Sequence, residues 1–325
     1  MAGDRDGEPR LGARPRTARS LGWLALLALG VVELLGYFVI QSRVVTDDEW
    51  AAAAERVRAE WREGDIIAPA PGWTDPLVRR ELGDLITLAA AGRDSTDGYD
   101  RLWTISARGF LPDEAPDRAP ELDEEVGRLR VMRWSLDGPR VLYRFSEHLR
   151  AARASIRTHG EDRPCGWENS GRPRGGGLGA GPIVPAERFV CDPARSWLWI
   201  GVTMQDDLDI EPRYCIWNHP QGLEPIRLTF GSVALGDELV FAGDYYYEHE
   251  RNLEHGPVEV SVSLGDTPIG QMTHRDGDGW KRMVLSTHVP SRGDARAGNV
   301  TFEVRAGDPT LRTFCWSAYT REAAE

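Results

Sequence analysis

The sequence predicts an α+β protein: an N-terminal transmembrane helix, a small α/β domain and then an antiparallel β-sandwich. Three observations predict it. Leu21 to Ile40 is almost wholly apolar. Helix and strand patterns alternate from Thr46 to about residue 158. From Trp197 onward, short aromatic and β-branched runs follow one another between Gly, Pro, Asp and Asn turns.

The run "LGWLALLALGVVELLGYFVI" (residues 21–40) is long enough to cross ~30 Å of hydrocarbon at 1.5 Å per residue. It exceeds the ~7–15-residue apolar core of a cleaved signal and exits through "QSRVVTDDEW" with no A-x-A site, which reads as an uncleaved anchor. Arg5, Arg10, Arg14, Arg16 and Arg19 precede it, and Asp47, Asp48 and Glu49 follow. The positive-inside bias puts residues 1–20 in the cytoplasm and the bulk in the periplasm or outside the cell, as a single-pass membrane protein. Glu33 costs roughly 2.5–3.5 kcal/mol if charged mid-span, so it points to a contact with another helix.

The chain carries 51 acidic against 39 basic residues, a net charge of −12, and the tail holds five of the arginines. This excludes a nucleic-acid binder, which would show a basic patch or stripe. Cys165, Cys191, Cys215 and Cys315 all lie in the outer portion, without the C-x-x-C pairs of a zinc site. An even number in an oxidising compartment reads as two disulfides. Three connectivities exist. Cys165–Cys191 with Cys215–Cys315 is preferred, because it closes one irregular region and ties the first and last strands of a terminal domain.

Residues 46–158 read as the membrane-proximal α/β domain. "TDDE" is a capping box, and Trp50, Ala54, Val57 and Trp61 recur at helical spacing until Gly64. "DIIAPAP" is a short buried strand. Asp75–Pro76 opens a second helix whose leucines, Leu77 to Leu88, run to Gly92. "RLWTISARG", "LRVMRWSL" and "RVLYRF" are the remaining strands, the last two joined by "DGP". Residues 159–195 read as a disulfide-closed loop region. Its "GGGLGA" meets Pro182 where a dinucleotide-binding helix would begin, so no nucleotide cofactor is expected.

Two resemblances follow. The stretch "DDEWAAAAERVRAEWREGDIIAPAPGWTDPLVRREL" with "YDRLWTISARG" (about residues 46–110) resembles the extracytoplasmic domain of membrane glycosyltransferases that use lipid-linked sugars. The catalytic acids of that family lie in membrane-proximal loops with no counterpart here. The resemblance therefore implies the neighbourhood of envelope glycan metabolism and not the transferase activity. In the sandwich, residues 196–325, "VEVSVSLGD", "DGDGWKRMVLS", "NVTFEVRAGD" and "TFCWSAYT" (about residues 213–320) resemble non-catalytic carbohydrate-binding jelly rolls.

The densest candidate site is "GDYYYEHERNLEHGP", residues 243–257. As one strand from Phe241 to Glu250, it would point Tyr245, Tyr247 and His249 to one face and Tyr246, Glu248 and Glu250 to the other. Aromatic rings stack on pyranose faces, while carboxylates and arginine bind hydroxyls, so Tyr245, Tyr247, His249, Glu248, Glu250 and Arg251 are the ligand-binding candidates. The plainer reading is a strand end with a local salt-bridge cluster. As metal ligands, His249 and His255 with Glu250 or Glu254 match no zinc spacing. "HRDGDGW" reads first as a hairpin turn; as a metal site it would offer Asp276 and Asp278 to a structural calcium. His219, His274 and His288 read as structural or surface histidines.

No catalytic residue and no cofactor is singled out. The reading is a membrane-anchored, extracytoplasmic, non-catalytic protein. It binds or presents an envelope glycan or assists a membrane glycosyltransferase, with a glycan or an envelope protein as partner. Two other readings stay open: a glycan-active enzyme using the Glu/His cluster at 248–255, and a structural protein-interaction module.

Overall fold

The computed structural model describes residues 16–176, 182–251, 255–289 and 296–323. Most of the arginine-rich tail, the end of "GGGLGA" and Glu254 lie outside them. Helix α1 (Arg16–Gln41) contains the apolar run. Its segment Trp23–Gln41 is long and apolar enough to cross a membrane, with mean hydropathy 2.2, and none of that segment is buried against the rest of the chain.

Helix α2 (Asp47–Glu60) starts as the sequence requires. The Thr46 backbone N–H donates to the Glu49 carboxylate at 2.8 Å, and the Glu49 N–H donates back to the Thr46 hydroxyl at 3.4 Å. Its stripe of Trp50, Ala53, Ala54 and Val57 packs with Trp103, Ile105 and Val131. The sheet beneath consists of β1 (Asp65–Ala70), β2 (Arg101–Ala107), β3 (Leu122–Val126) and β4 (Leu129–Ser135), in the order β1-β2-β4-β3. β1 and β2 are parallel and joined by a helical crossover; the other pairs are antiparallel.

Two expectations for this unit are corrected. The helix running to Gly92 is two pieces, α3 (Asp75–Leu82) and α4 (Leu88–Ala91). Gly83 ends the first, and the Thr87 hydroxyl caps the second by accepting the Ala90 N–H at 3.1 Å. β3, "LDEEV", is an unforeseen strand: its charged residues are the mark of a protected sheet edge and not of an alternating strand.

The sandwich begins earlier in the chain than the sequence suggests. β5 (Val141–Arg144) was expected beside β4, yet it pairs with the last strand, β18 (Phe314–Arg321). Pro139 in "DGP" has no N–H and cannot sit in a two-residue hairpin turn, so the chain crosses over. The expected loop of residues 159–195 contains β7 (Glu161–Pro164), β8 (Gly166–Asn169) and β9 (Glu187–Val190), preceded by β6 (Arg153–Thr158). β7 is exposed throughout and so shows no alternation for sequence reasoning to find.

The remaining strands are β10 (Trp199–Asp206), β11 (Pro212–Asn218), β12 (Ile226–Ala234), β13 (Glu238–Tyr245), β14 (Val258–Leu264), β15 (Thr267–His274), β16 (Lys281–Ser286) and β17 (Ala297–Ala306). One sheet runs β16-β13-β18-β11-β10-β9-β8 with β5 added on β18; the other runs β15-β14-β17-β12-β6-β7. Between them Phe145, Phe230, Phe302 and Trp316 pack with ring centroids 4.7–4.9 Å apart along the chain of contacts. The disulfides are Cys165–Cys191 and Cys215–Cys315, the latter joining neighbouring strands β11 and β18.

The two units are locked together. The Asp97 carboxylate accepts hydrogen bonds from the Tyr319 hydroxyl at 2.5 Å, Arg321 at 2.6 Å and Arg282 at 3.1 Å. The Ser317 hydroxyl donates to Asp94 at 2.6 Å. At Gly92 the backbones meet: its carbonyl accepts the Tyr214 N–H at 2.7 Å, and a Cβ there would lie 2.4 Å from that nitrogen.

Candidate functional site

The strand expected over Phe241–Glu250 stops at Tyr245. Tyr246 is extended, and Tyr247–Glu250 forms a single helical turn, α5, so strand alternation does not govern the run. Two of the six ligand candidates are thereby corrected. Tyr245 is 0% exposed: its hydroxyl donates to the His274 carbonyl at 2.7 Å and accepts the Val258 N–H at 2.8 Å. The Arg312 guanidinium lies 4.6 Å from its ring centroid. Glu250 is folded under the turn and is also 0% exposed. Neither can touch a sugar.

The other four lie at the surface. Tyr247 is half-buried and donates to Glu248 at 3.0 Å, with the Arg251 guanidinium 5.4 Å from its ring centroid. His249 shares a hydrogen bond with the Thr313 hydroxyl at 2.9 Å, and burial lowers its pKa. Glu248 and Arg251 are exposed. His255 reaches Asp308 at 3.2 Å, away from His249's partner. These side chains largely satisfy one another.

What the turn does create is internal. Asp244 on β13, Glu250 on α5 and His274 at the end of β15 converge at one end of the sandwich, bridging the two sheets. His274 Nε2 lies 3.1 Å from a Glu250 oxygen and 3.3 Å from an Asp244 oxygen. Among the described residues this is the one group of three or more metal-ligand side chains whose ligand atoms all lie within 4.8 Å of one another. Backbone N–H groups fix the acids: Tyr245 at 2.6 Å and Leu208 at 3.2 Å on Asp244, Gly279 at 3.1 Å on Glu250.

Burial raises the pKa of Asp244, and the adjacent Glu250 raises it further. Burial opposes ionisation of Glu250 too, yet hydrogen bonds from His274, Asp244 and Gly279 hold it below the usual carboxylate range. Burial also opposes the His274 cation, but both carboxylates outweigh that and raise its pKa. Asp276 and Asp278 stand apart from this group. Asp276 places both oxygens on the buried Arg312, at 2.7 and 2.8 Å, and Asp278 pairs with Lys281 at 2.7 Å.

The open site lies elsewhere, between the two units. A cleft of about 720 Å³ is walled by the end of β1, the 72–74 turn, α3, the 110–114 loop and residues 210–213. Trp73 is 63% exposed and Phe110 52%, with Leu111 and Ile210 also open to solvent. The Arg108 guanidinium lies 5.9 Å from the Trp73 ring centroid. Asp75, Glu114 and Glu211 pair with Arg79, Arg93 and Arg213, which leaves Asp113 the cleft carboxylate without an ion pair among the described residues.

Backbone strain marks both lips. Arg108 has φ 59° and Ile210 φ 65°, the left-handed region that a β-branched residue rarely enters. Asp207 holds the Ile210 turn: its carbonyl accepts the Ile210 N–H at 3.0 Å, and its carboxylate accepts Asp209 and Glu211 N–H groups at 3.0 and 2.9 Å. Sequence reasoning missed this site. The available signal was apolar residues in turns, "PGW" and "RGFLPDE", outside any helix or strand period.

No family model matches the chain, and no curated protein matches it. Solved structures similar to it include the CBM51-2 and INT domains of Clostridium perfringens ZmpB, at 13% identity and TM-score 0.28, covering 38% of this chain and 26% of that one. A CBM51 from Clostridium perfringens GH95 in complex with methyl-galactose is similar at 9% identity and TM-score 0.27, over 37% of this chain and 81% of that one. A family 29 carbohydrate-binding module gives 14% identity and TM-score 0.23, over 49% and 91%. The match thus spans about a quarter of the ZmpB chain. The α+β architecture stands on the strand pairing described above, and these likenesses are too distant to transfer a ligand.

Proposed function

We propose that the chain is a membrane-anchored, extracytoplasmic binding protein that holds a glycan of the cell envelope in the cleft between its two units. The carrying observation is the pairing, in one open cleft of about 720 Å³, of solvent-facing Trp73 and Phe110 rings with arginine and carboxylate side chains. That volume is within the ~300–1,000 Å³ of small-ligand sites. Ring faces stack on sugar C–H surfaces; Asp113 and the cleft arginines serve the hydroxyls. The anchor reading is supported by the apolar helix, the arginines before it and the two disulfides, which belong to an oxidising compartment.

The reading is non-catalytic because the convergent acids and the histidine are sealed: Asp244, Glu250 and His274 are all fully buried. The cleft acids, in turn, are mostly neutralised by arginine. The test is a glycan array probed with the full-length chain in detergent, beside Trp73→Ala and Tyr247→Ala. Binding should fall at least ~10-fold in Trp73→Ala and persist in Tyr247→Ala, with unchanged melting in both. An array on which the folded wild-type chain binds nothing would sink the proposal.

A further inference from the structure

We propose that Asp244, Glu250 and His274 form a closed site for one divalent transition-metal ion of the zinc class. A single imidazole nitrogen faces two carboxylate oxygens, hydrogen-bonded to Glu250 at 3.1 Å with Asp244 at 3.3 Å. A tetrahedral shell with bonds of ~2.0–2.1 Å sets its ligand atoms about 3.3 Å apart. The two separations around His274 Nε2 match that spacing, and all three ligand atoms lie within 4.8 Å of one another.

Among the described residues, no arginine or lysine lies within ion-pair distance of Asp244 or Glu250; His274 is their one cationic partner. The neighbouring Arg312 is committed to Asp276. At a place 0–1% exposed to water the two carboxylates and the imidazole need two positive charges to reach neutrality, either two protons or one divalent ion. An uncompensated buried charge is costly. A divalent ion with two carboxylates and a neutral imidazole sums to zero.

Tyr245, Leu208 and Gly279 N–H groups hold the carboxylates from the backbone, which orients both acids toward His274. The donor set selects the ion. Calcium takes six to eight oxygens and magnesium an octahedron of them, whereas one nitrogen and two carboxylates in a closed space suit zinc, with cobalt as its spectroscopic substitute. His274 Nδ1 has no hydrogen-bond partner. Sites that lack such a contact behind the histidine bind ~10–100-fold more weakly, which sets the expected affinity below that of zinc sites with a full second layer.

The test uses the full-length chain in detergent, freed of any affinity tag and stripped with EDTA. Titration with Co²⁺ should give visible d–d bands saturating at one ion per chain. Zn²⁺ should displace Co²⁺ and raise Tm by roughly 5–10 °C at 100 times its Kd. His274→Gln and Glu250→Gln should abolish the bands, while Asp278→Asn should keep them. Should either variant fail to fold, the wild-type titration decides alone. A wild-type chain that takes up no stoichiometric metal, with Tm indifferent to Zn²⁺ and EDTA, overturns the proposal; so does unchanged Co²⁺ uptake by a folded Glu250→Gln.

Discussion

Residues 245–250 and the cleft lips at 73 and 108–111 treat their side chains in opposite ways. "YYYEHE" holds the residue types that recognise ligands, and the fold turns Tyr245 and Glu250 inward until nothing reaches them. "PGW" and "RGFLP" look like packing residues, yet Trp73, Phe110 and Leu111 stand in solvent. The difference is one of tethering. Tyr245 has somewhere to go, because the His274 carbonyl and the Val258 N–H both need a partner. Trp73 sits on a three-residue turn, with an arginine against its ring instead of a core. A ring's exposure is decided by what faces it across the fold, which lies far away in the sequence.

The largest way to break the contrast is Tyr245→Ala. It should cost about 3–5 kcal/mol, as large aromatic truncations in cores do, and lower the urea midpoint without a selective change in ligand binding. A mild effect on unfolding would place Tyr245 outside the core. Next is Gly92→Ala, whose methyl would meet the backbone of Tyr214 and Arg213 as well as the Met204 sulfur. A loss of about 1–3 kcal/mol is expected, together with weakened binding in the adjacent cleft. Wild-type binding with wild-type stability would show that the two units do not depend on that contact.

A smaller effect concerns acid. Burial lowers the pKa of His219, whose ring lies 4.8 Å from that of Trp197. As pH falls through about 6.5 the unfolded chain takes up this proton before the folded one, so stability is full above that pH and declines below it. Urea midpoints at pH 7.5 and 5.5 should differ more for the wild type than for His219→Gln. Equal differences would remove His219 from the acid response. The smallest effect belongs to the surface: Arg251→Ala should change unfolding by no more than about 0.5 kcal/mol, because its contact with Tyr247 is exposed. A loss above 1 kcal/mol would mean that the 247–251 turn is held from outside.

Local chemistry was legible in the sequence. Thr46 and Glu49 form their capping box, and the strands rich in valine, phenylalanine and tryptophan lie close to where they were expected. The preferred cysteine pairing is the one present, although β11, which carries Cys215, neighbours the last strand without being the sandwich's first. Three kinds of feature were not legible. Edge strands such as β3 and β7 carry charge in place of alternation. β5 chooses a partner more than 170 residues away, a non-local pairing that no local pattern encodes. Finally, one bend at Tyr246 replaced a strand's two-residue period with a helical turn, and so changed which of six neighbouring side chains see water.

The early strands of the sandwich set the terms on which it can be produced in isolation. A recombinant piece beginning at residue 196 would carry every motif that makes the C-terminal half look self-contained. It would lack Phe145, Ala154, Ile156 and Phe189 from the shared core, and with them the cysteine partners at 165 and 191. β12 would lose β6 and gain a free edge, with Ile226 and Leu228 uncovered beside it. Such an edge recruits other chains. The smallest piece of this sandwich suited to expression therefore begins before Val141, although the sequence changes character more than fifty residues later.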